Sequence, residues 1–276
     1  MTEYSLQSDL LLARELADMA DSIAIDRFRA NDLLVTMKPD MTHVTDADKA
    51  VEAAIRGGLA DSRPGDSILG EEFGGDAVAA GSVGAAGRRQ WIIDPIDGTA
   101  NYVRGIPVWA TLISLAIDGV PVVGVVSAPA LRQRWWAATG QGAWTSEYVS
   151  QSERSERRIF VSGVTELADA SLSYNSLKGW DDEGRLDQLT TLSREVWRTR
   201  AYGDMWSYMM VADGLVDIAG EFDLKPYDMA ALVPIVEEAG GRFSSADGAS
   251  GPWGGSAIAT NGLLHDRVLE IVAGDR

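Results

Sequence analysis

The strongest chemical signal in the sequence is a pair of acidic residues around a proline, in Asp94-Pro95-Ile96-Asp97-Gly98-Thr99. The apolar residues 91–93 before it predict the end of a buried strand, because Pro95 disfavours helical geometry at Asp94 and cannot donate to a sheet ladder. In layered α/β proteins, ligand-binding sites lie at the ends of strands. A stiff turn there would bring both carboxylates and the Ile96 carbonyl toward one hard divalent cation such as Mg²⁺.

The next two residues, Gly98 and Thr99, would place an anion site beside the cation site. Glycine lets backbone N–H groups approach an anion closely, and the start of a helix offers N–H groups that bind phosphate. Taken alone, the segment 94–99 leaves a second interpretation open, an Asx-rich turn with no ligand.

Three other acidic positions could complete a cluster, and each has a purely structural alternative. In Gly70-Glu71-Glu72, after an apolar pair, one glutamate is expected to face the interior and the other to point away, although such pairs are also common on surfaces. Asp48 would otherwise be the capping-box acid of a helix whose N-cap is Thr45. Asp228 would otherwise be an N-cap or first-turn acid of the following helix.

Composition excludes several classes of chemistry. The 276 residues include 41 acidic and 24 basic side chains, a net charge of −17, and this surplus argues against a nucleic-acid partner. Cysteine is absent, which excludes disulfides, zinc–thiolate sites and thiol nucleophiles. The sequence contains two histidines, which is few for a multi-histidine metal site or a Ser-His-Asp triad. The chemistry must therefore use oxygen ligands.

No secretory signal is readable, and the longest apolar stretches, 106–117 and 120–131, are too short to span a bilayer. These features predict a cytoplasmic protein without a membrane partner. The length of the chain allows one large domain or two modest ones, and 46% hydrophobic residues are ample for a core.

The elements that must position the acids can be read from periodicity. Apolar residues three and four apart predict a helix over residues 5–30, and a second helix follows Thr45. Strands at 108–117 and 121–128, joined by Asp118-Gly119, predict an antiparallel hairpin. Farther on, short apolar runs alternate with helical ones such as Met229–Ala239, which predicts α/β layering.

Together these motifs resemble the signatures of the inositol monophosphatase family over about residues 5 to 272. The matching motifs are Lys38-Pro39-Asp40, Val44-Thr45-Asp46-Ala47-Asp48, Gly70-Glu71-Glu72, the segment 94–99, and Tyr227-Asp228 ahead of a helix ending at Glu238-Ala239-Gly240-Gly241. Within the family, the segments 70–75, 101–109, 127–131 with Trp135-Trp136, and 200–204 most resemble the histidinol-phosphatase branch of actinobacterial histidine biosynthesis.

The resemblance implies a layered αβαβα sandwich, an α/β (α+β) fold, and a homodimer. It makes residues 1–276 one unit, with an α+β part at about 1–145 and an α/β part at about 146–276. It also implies a set of ligands to two Mg²⁺ ions, namely Glu71, Asp94, the Ile96 carbonyl, Asp97 and Asp228. Asp48, expected near Glu71, favours a third Mg²⁺.

The resemblance further assigns roles in catalysis and binding. Glu71 and Thr99 would orient the attacking water, with Asp48 as a further catalytic residue, and Asp97, Gly98 and Thr99 would bind the phosphate. The positions that hold the organic part of the substrate match Gly203, Asp204, Met205 and Glu221. The two acids among them would attract the ammonium group of histidinol phosphate. For Arg104 and Trp180 the resemblance implies a place either in the lining of the substrate pocket or in the dimer contact.

The function that follows is Mg²⁺-dependent hydrolysis of L-histidinol phosphate to L-histidinol and phosphate, by direct attack of a metal-activated water. An inositol-1-monophosphatase or another phosphatase of small phosphomonoesters is the alternative in the same class. A non-catalytic regulator is disfavoured, because a scaffold has no reason to keep a costly acidic cluster. Three residues depart from the family pattern: Tyr227 stands for the usual Trp, Ala100 for a polar residue, and His43 for a small residue or proline.

Overall fold

The computed structural model describes residues 4–38, 42–81, 87–148 and 154–274. Pro39 and Asp40 of the first motif lie outside these ranges. The helices are α1 (Leu6–Arg27), α2 (Asp46–Ser62), α3 (Thr99–Val103), α4 (Leu177–Asp182), α5 (Leu186–Glu195), α6 (Asp204–Ala212), α7 (Pro226–Met229), α8 (Leu232–Glu238) and α9 (His265–Ala273). Within these ranges, no helix has both the length and the apolar character needed to cross a membrane.

The strands form one small ribbon and two larger sheets. They are β1 (Val35–Met37), β2 (His43–Thr45), β3 (Ser67–Gly70), β4 (Arg89–Asp97), β5 (Ala110–Ile117), β6 (Val120–Ala128), β7 (Gln133–Ala138), β8 (Ala143–Tyr148), β9 (Arg154–Arg158), β10 (Ser171–Ser173), β11 (Arg198–Arg200), β12 (Ile218–Phe222), β13 (Arg242–Ser244) and β14 (Ser256–Thr260). The larger sheet runs in the order β3 to β9, and the smaller in the order β11-β10-β12-β14-β13.

Three large apolar cores among the described residues hold five layers together. Helices α1 and α2 pack on one face of the larger sheet, around Leu16, Ile55 and Trp91. Helices α6 and α8 lie between the two sheets, in a core that joins residues such as Leu112 to Phe243. Helices α4, α5 and α9 cover the far face of the smaller sheet. This is the αβαβα sandwich that the sequence predicts.

The first two predicted helices and the hairpin are confirmed with small changes of boundary. Thr45 caps α2 through its side chain, and Asp48 completes a capping box. The hairpin between β5 and β6 turns at Asp118 and Gly119, both with positive φ (55° and 79°). Helix α8 ends in a Schellman motif, in which Gly240 and Gly241 donate to the Glu237 and Val236 carbonyls.

Two predicted boundaries are wrong. Strand β4 does not end before Pro95 but continues to Asp97, because a register shift between Asp94 and Asp97 accommodates the proline. The predicted helix from Met229 to Ala239 is divided into α7 and α8. Pro234 has no N–H for the Ala230 carbonyl, which instead accepts a hydrogen bond from the Ser114 hydroxyl (3.1 Å).

The chain passes from one sheet to the other between Arg158 and Ser171. The predicted subdivision at residues 145 and 146 falls inside β8, which still pairs in the larger sheet. The two-part organisation stays a prediction, and we propose that its boundary lies within residues 159–170.

Candidate active site

A bulge at the end of β4 sets the direction of the Asp94 and Asp97 side chains. In a regular strand, residues three apart point to opposite faces of the sheet. Here Asp94 pairs with Leu112 and Asp97 with Ala110, so three steps on β4 match two steps on β5. The extra residue turns both side chains to the same face. The Thr111 hydroxyl on β5 donates to the Pro95 carbonyl (2.8 Å) and fixes the bulge.

Glu71 reaches the same place from the neighbouring strand. β3 and β4 run parallel, with Gly70 paired to Ile93, so the next residue of each strand lies side by side. The backbone N–H of Glu71 donates to the Ile93 carbonyl (3.2 Å). The parallel register therefore brings Glu71 beside Asp94.

Asp228 comes from the opposite half of the chain, on α7, which packs against β4. It accepts a hydrogen bond from the Lys225 N–H (2.6 Å), as the acid of a helix cap. Carboxylate oxygens of Asp94, Asp97 and Asp228 all lie within 4.8 Å of one another. Asp228 therefore caps α7 and belongs to the acidic cluster at the same time.

This cluster fits a hard cation. Oδ1 of Asp94 is buried and has no hydrogen-bond partner among the described residues, which is costly for an ionised carboxylate unless a positive charge faces it. Oxygen atoms from several carboxylates are the donor set that Mg²⁺ prefers.

Asp48 and Thr99 form a second group beside the cluster. Oδ2 of the buried Asp48 accepts hydrogen bonds from the N–H (2.8 Å) and hydroxyl (2.5 Å) of Thr45. The Thr99 hydroxyl lies 3.3 Å from Asp48 Oδ1 and 3.0 Å from the Ile96 carbonyl oxygen. Gly98, with φ 82°, precedes α3, whose first N–H groups have no acceptor within the helix.

Burial is the main cause of unusual protonation in the site. It raises the pKa of Asp94 and of Asp97 well above the usual value, and the negative charges of neighbouring acids raise it further. Burial also raises the pKa of Asp228 to about 7 and that of Asp48 to about 6. Burial therefore favours the protonated form of these carboxyls, and bound cations would replace the protons.

The two adjacent glutamates do not diverge as the sequence suggests. The Lys38 ammonium lies 2.8 Å from Glu71 Oε1 and 2.6 Å from Glu72 Oε1, and both glutamate side chains are largely buried. The expectation that one of them points away is wrong, because a lysine from another segment satisfies both charges.

The residues predicted to hold the organic part of the substrate lie next to the acidic cluster. The Met205 N–H donates to Asp97 Oδ2 (2.9 Å), so the start of α6 orients one acid of the cluster. Gly203 and Asp204 precede it with positive φ (97° and 48°). Burial raises the pKa of Asp204 to about 6 and that of Glu221 to about 8.

Two asparagine side chains hold these two acids. Asn101 Nδ2 donates to Asp204 Oδ2 (2.6 Å), and Asn175 Nδ2 donates to Glu221 Oε2 (2.6 Å). Asp204 and Glu221 thus extend the acidic surface from Asp97 toward the smaller sheet.

A model of the inositol monophosphatase family matches residues 5–274 of this chain. The chain belongs to that family. The family is metal-dependent, in agreement with the acidic cluster.

Two histidinol-phosphatases are each 56% identical in sequence to this chain. The one from Mycobacterium tuberculosis matches over 95% of this chain and 96% of its own length. The one from Streptomyces coelicolor matches over 95% of each chain. A solved inositol monophosphatase from Zymomonas mobilis is 30% identical, with a TM-score of 0.81 over 98% of this chain and all of that one.

The departures from the inositol monophosphatase pattern are mild in structural terms. Tyr227 is half-buried and packs in a small cluster with Leu69 and Ile92, so an aromatic wall stays beside Asp228. Ala100 is exposed, and His43 lies half-buried in β2. Trp180 packs edge-to-face on Phe222 in the outer core (centroids 4.8 Å apart), which makes it a structural residue.

Sequence reasoning missed several residues that support the site, among them Asn101, Asn175 and Glu52. The two asparagines are recognisable only through their partners in distant segments. Glu52 carried a readable signal, because it lies four residues after Asp48 and therefore on the same face of α2. Arg104 is exposed at the end of α3.

Proposed function

We propose that this protein is a divalent-cation-dependent phosphomonoesterase that hydrolyses L-histidinol phosphate to L-histidinol and phosphate. The observation that carries the proposal is the cluster of Asp94, Asp97 and Asp228, in which one buried oxygen of Asp94 has no partner among the described residues. The 56% identity to two histidinol-phosphatases over nearly the whole chain supports the choice of substrate.

The cation-binding residues are those that the family resemblance implies: Glu71, Asp94, the Ile96 carbonyl, Asp97 and Asp228. They would hold two Mg²⁺ ions, and Asp48 together with Glu71 would favour a third. When bound, such cations lower the pKa of water and neutralise the charge that develops on the leaving oxygen.

Thr99 and its neighbours would orient the attacking water and the phosphate. Thr45 holds Oδ2 of Asp48, and the Thr99 hydroxyl donates toward Asp48 Oδ1 (3.3 Å) and the Ile96 carbonyl (3.0 Å), so the Thr99 oxygen is left to accept a hydrogen bond from water. Glu71 would hold the same water from the opposite side. The N–H groups of Gly98 and Thr99 would donate to phosphate oxygens, and Asp97 immediately before them would place the cation against that phosphate.

Asp204 and Glu221 would bind the ammonium group of the substrate. Each is already oriented by an asparagine, so the carboxylates need little rearrangement. A bound ammonium group would keep Glu221 ionised at neutral pH, against the effect of burial. Gly203 opens the turn that presents Asp204, and Met205 links this end of the site to Asp97.

Phosphate release from a panel of phosphomonoesters, with and without Mg²⁺, tests the proposal. We expect kcat/KM for histidinol phosphate to exceed that for inositol 1-phosphate, and both activities to vanish in chelator. The reverse preference would favour the second candidate, an inositol monophosphatase, which the structural similarity to the Zymomonas mobilis enzyme supports. The homodimer and the cytoplasmic location stay predictions.

A further inference from the structure

Glu52 is a buried acid with no part in the chemistry proposed above. Its side chain has no exposed surface, and it lies on α2 one turn after Asp48. A carboxylate removed from water in this way is strongly unfavourable unless donors surround it. The groups that donate hydrogen bonds to Glu52 therefore indicate what this residue does.

Two of these donors are backbone N–H groups of the turn that carries Glu71. Glu52 Oε2 accepts from the Glu72 N–H (2.7 Å), and Oε1 accepts from the Phe73 N–H (3.2 Å). The turn is closed by a reciprocal pair of hydrogen bonds between Gly70 and Gly74, each 3.1 Å. Glu52 thus fills the inside of the turn.

The backbone of the turn is shaped around this carboxylate. A Cβ atom on Gly70 would lie 1.9 Å from Glu52 Oε1, so only glycine leaves room for it. On the outer side, Arg56 donates to Glu52 Oε1 (2.7 Å) and to the Gly74 carbonyl (2.5 Å). Both the inside and the far end of the turn are therefore tied to α2.

Because α2 also carries Asp48, one rigid helix fixes two parts of the site. Asp48 faces Thr99 at the first turn of α2, and Glu52 holds the Glu71 turn one helical turn later. We propose that Glu52 is a positioning residue, which acts through the backbone of residues 71–73 to hold Glu71 where it binds the cation. This inference rests on the proposed function, which makes Glu71 a cation ligand.

Substitution Glu52→Gln tests the inference at nearly constant volume. The amide keeps one oxygen acceptor but turns an NH₂ group toward a backbone N–H or toward Arg56. Mutation of a residue that holds a metal ligand in position typically lowers metal affinity 10- to 100-fold. We expect the dissociation constant for Mg²⁺, measured by calorimetry without substrate, to rise about tenfold, with KM for histidinol phosphate at saturating Mg²⁺ changed less than about twofold.

Asp9→Asn is the matched control. Asp9 is equally buried and is paired with Arg63 and Arg89 at the other end of α2 and β4. We expect it to lower the melting temperature without changing Mg²⁺ affinity. Arg56→Gln, at a partly exposed position, gives a second test if Glu52→Gln does not fold, and it should weaken Mg²⁺ binding by a smaller factor.

If both test variants lose stability but bind Mg²⁺ as the unmodified protein does, Glu52 is a structural residue only and the inference is overturned. Loss of Mg²⁺ affinity in the test variants and not in Asp9→Asn supports it. The proposed function fails separately, when the unmodified protein binds Mg²⁺ but releases no phosphate. The calorimetric comparison decides the role of Glu52 in either case.

Discussion

At the scale of single residues, Asp94 shows how a site can oppose stability. One oxygen of its carboxylate has no partner among the described residues, and burial, together with the charges of neighbouring acids, raises its pKa. Folding alone would favour a neutral side chain there, which supports the proposal that Asp94 binds a cation.

Replacement Asp94→Asn should therefore have opposite effects on activity and on stability. We expect kcat to fall by more than about a hundredfold because a cation ligand is lost. In chelator at pH 8, the free energy of unfolding should rise by about 1 kcal/mol because repulsion is relieved. Steady-state kinetics and denaturant unfolding measure the two effects. Unchanged turnover would contradict the assignment of Asp94 as a ligand.

Glu221 allows a prediction about selectivity. Glu221→Gln removes the negative charge but keeps an oxygen that Asn175 can reach. We expect KM for histidinol phosphate to rise about tenfold, the equivalent of one charged hydrogen bond, and KM for inositol 1-phosphate to change little. Glu270→Gln, at an exposed position paired with Arg267, is the control. Equal changes in KM for both substrates would show that Glu221 does not recognise the ammonium group.

At the scale of elements, the start of α3 depends on the conformation of Gly98. Its φ of 82° is unfavourable for other residues, and a Cβ atom there would lie 3.0 Å from the Val108 carbonyl oxygen and 3.4 Å from the Asp204 carboxylate. The N–H groups at this position are those proposed to bind phosphate.

Gly98→Ala should raise KM for the substrate severalfold and leave the Mg²⁺ dissociation constant unchanged. Gly140→Ala is a close control, since Gly140 has a similar φ of 78° but open space around its Cβ position. Both variants should lose about 1–2 kcal/mol of stability from backbone strain. A rise in KM for both would point to general destabilisation.

Sequence patterns predicted those elements whose causes are local. The capping box at Thr45 and Asp48 and the Asp118-Gly119 hairpin each need only neighbouring residues. The two wrong boundaries share a distant cause, because hydroxyl groups on β5 satisfy one carbonyl in the bulge of β4 and one that Pro234 leaves free. Thr111 donates to the Pro95 carbonyl, and Ser114 donates to the Ala230 carbonyl.

The acids of the candidate site were identifiable from their motifs, whereas the residues that hold them were not. Asp94 and Asp97 stand out beside a proline and a glycine. Lys38 and the two asparagines act through side chains that meet only after folding. No spacing rule joins residues that are more than thirty positions apart.

At the scale of the whole molecule, the buried acids predict an unusual dependence of stability on pH. The pKa of Asp48, Asp228 and Glu221 is raised to about 6, 7 and 8, so the folded state holds more protons than the unfolded state between about pH 4 and pH 8. The stability that these groups contribute is present below their unfolded pKa and is lost as pH rises through the folded values.

In chelator, the melting temperature should therefore fall by about 5 °C or more between pH 5 and pH 8. Saturating Mg²⁺ should remove most of this fall, because cations replace the protons. Scanning calorimetry at several pH values, with and without Mg²⁺, measures both effects. A melting temperature that rises with pH in chelator would contradict the proposed protonation.

The origin of the acids in both halves of the chain has a further consequence. Asp94 and Asp97 come from strand β4, whereas Asp228 and Glu221 come from α7 and β12 in the carboxyl-terminal half. Neither half of the chain alone holds the complete set of proposed ligands. Two separately expressed fragments would each be inert, and phosphatase activity regained on mixing them would be a direct assay of complementation between the two halves.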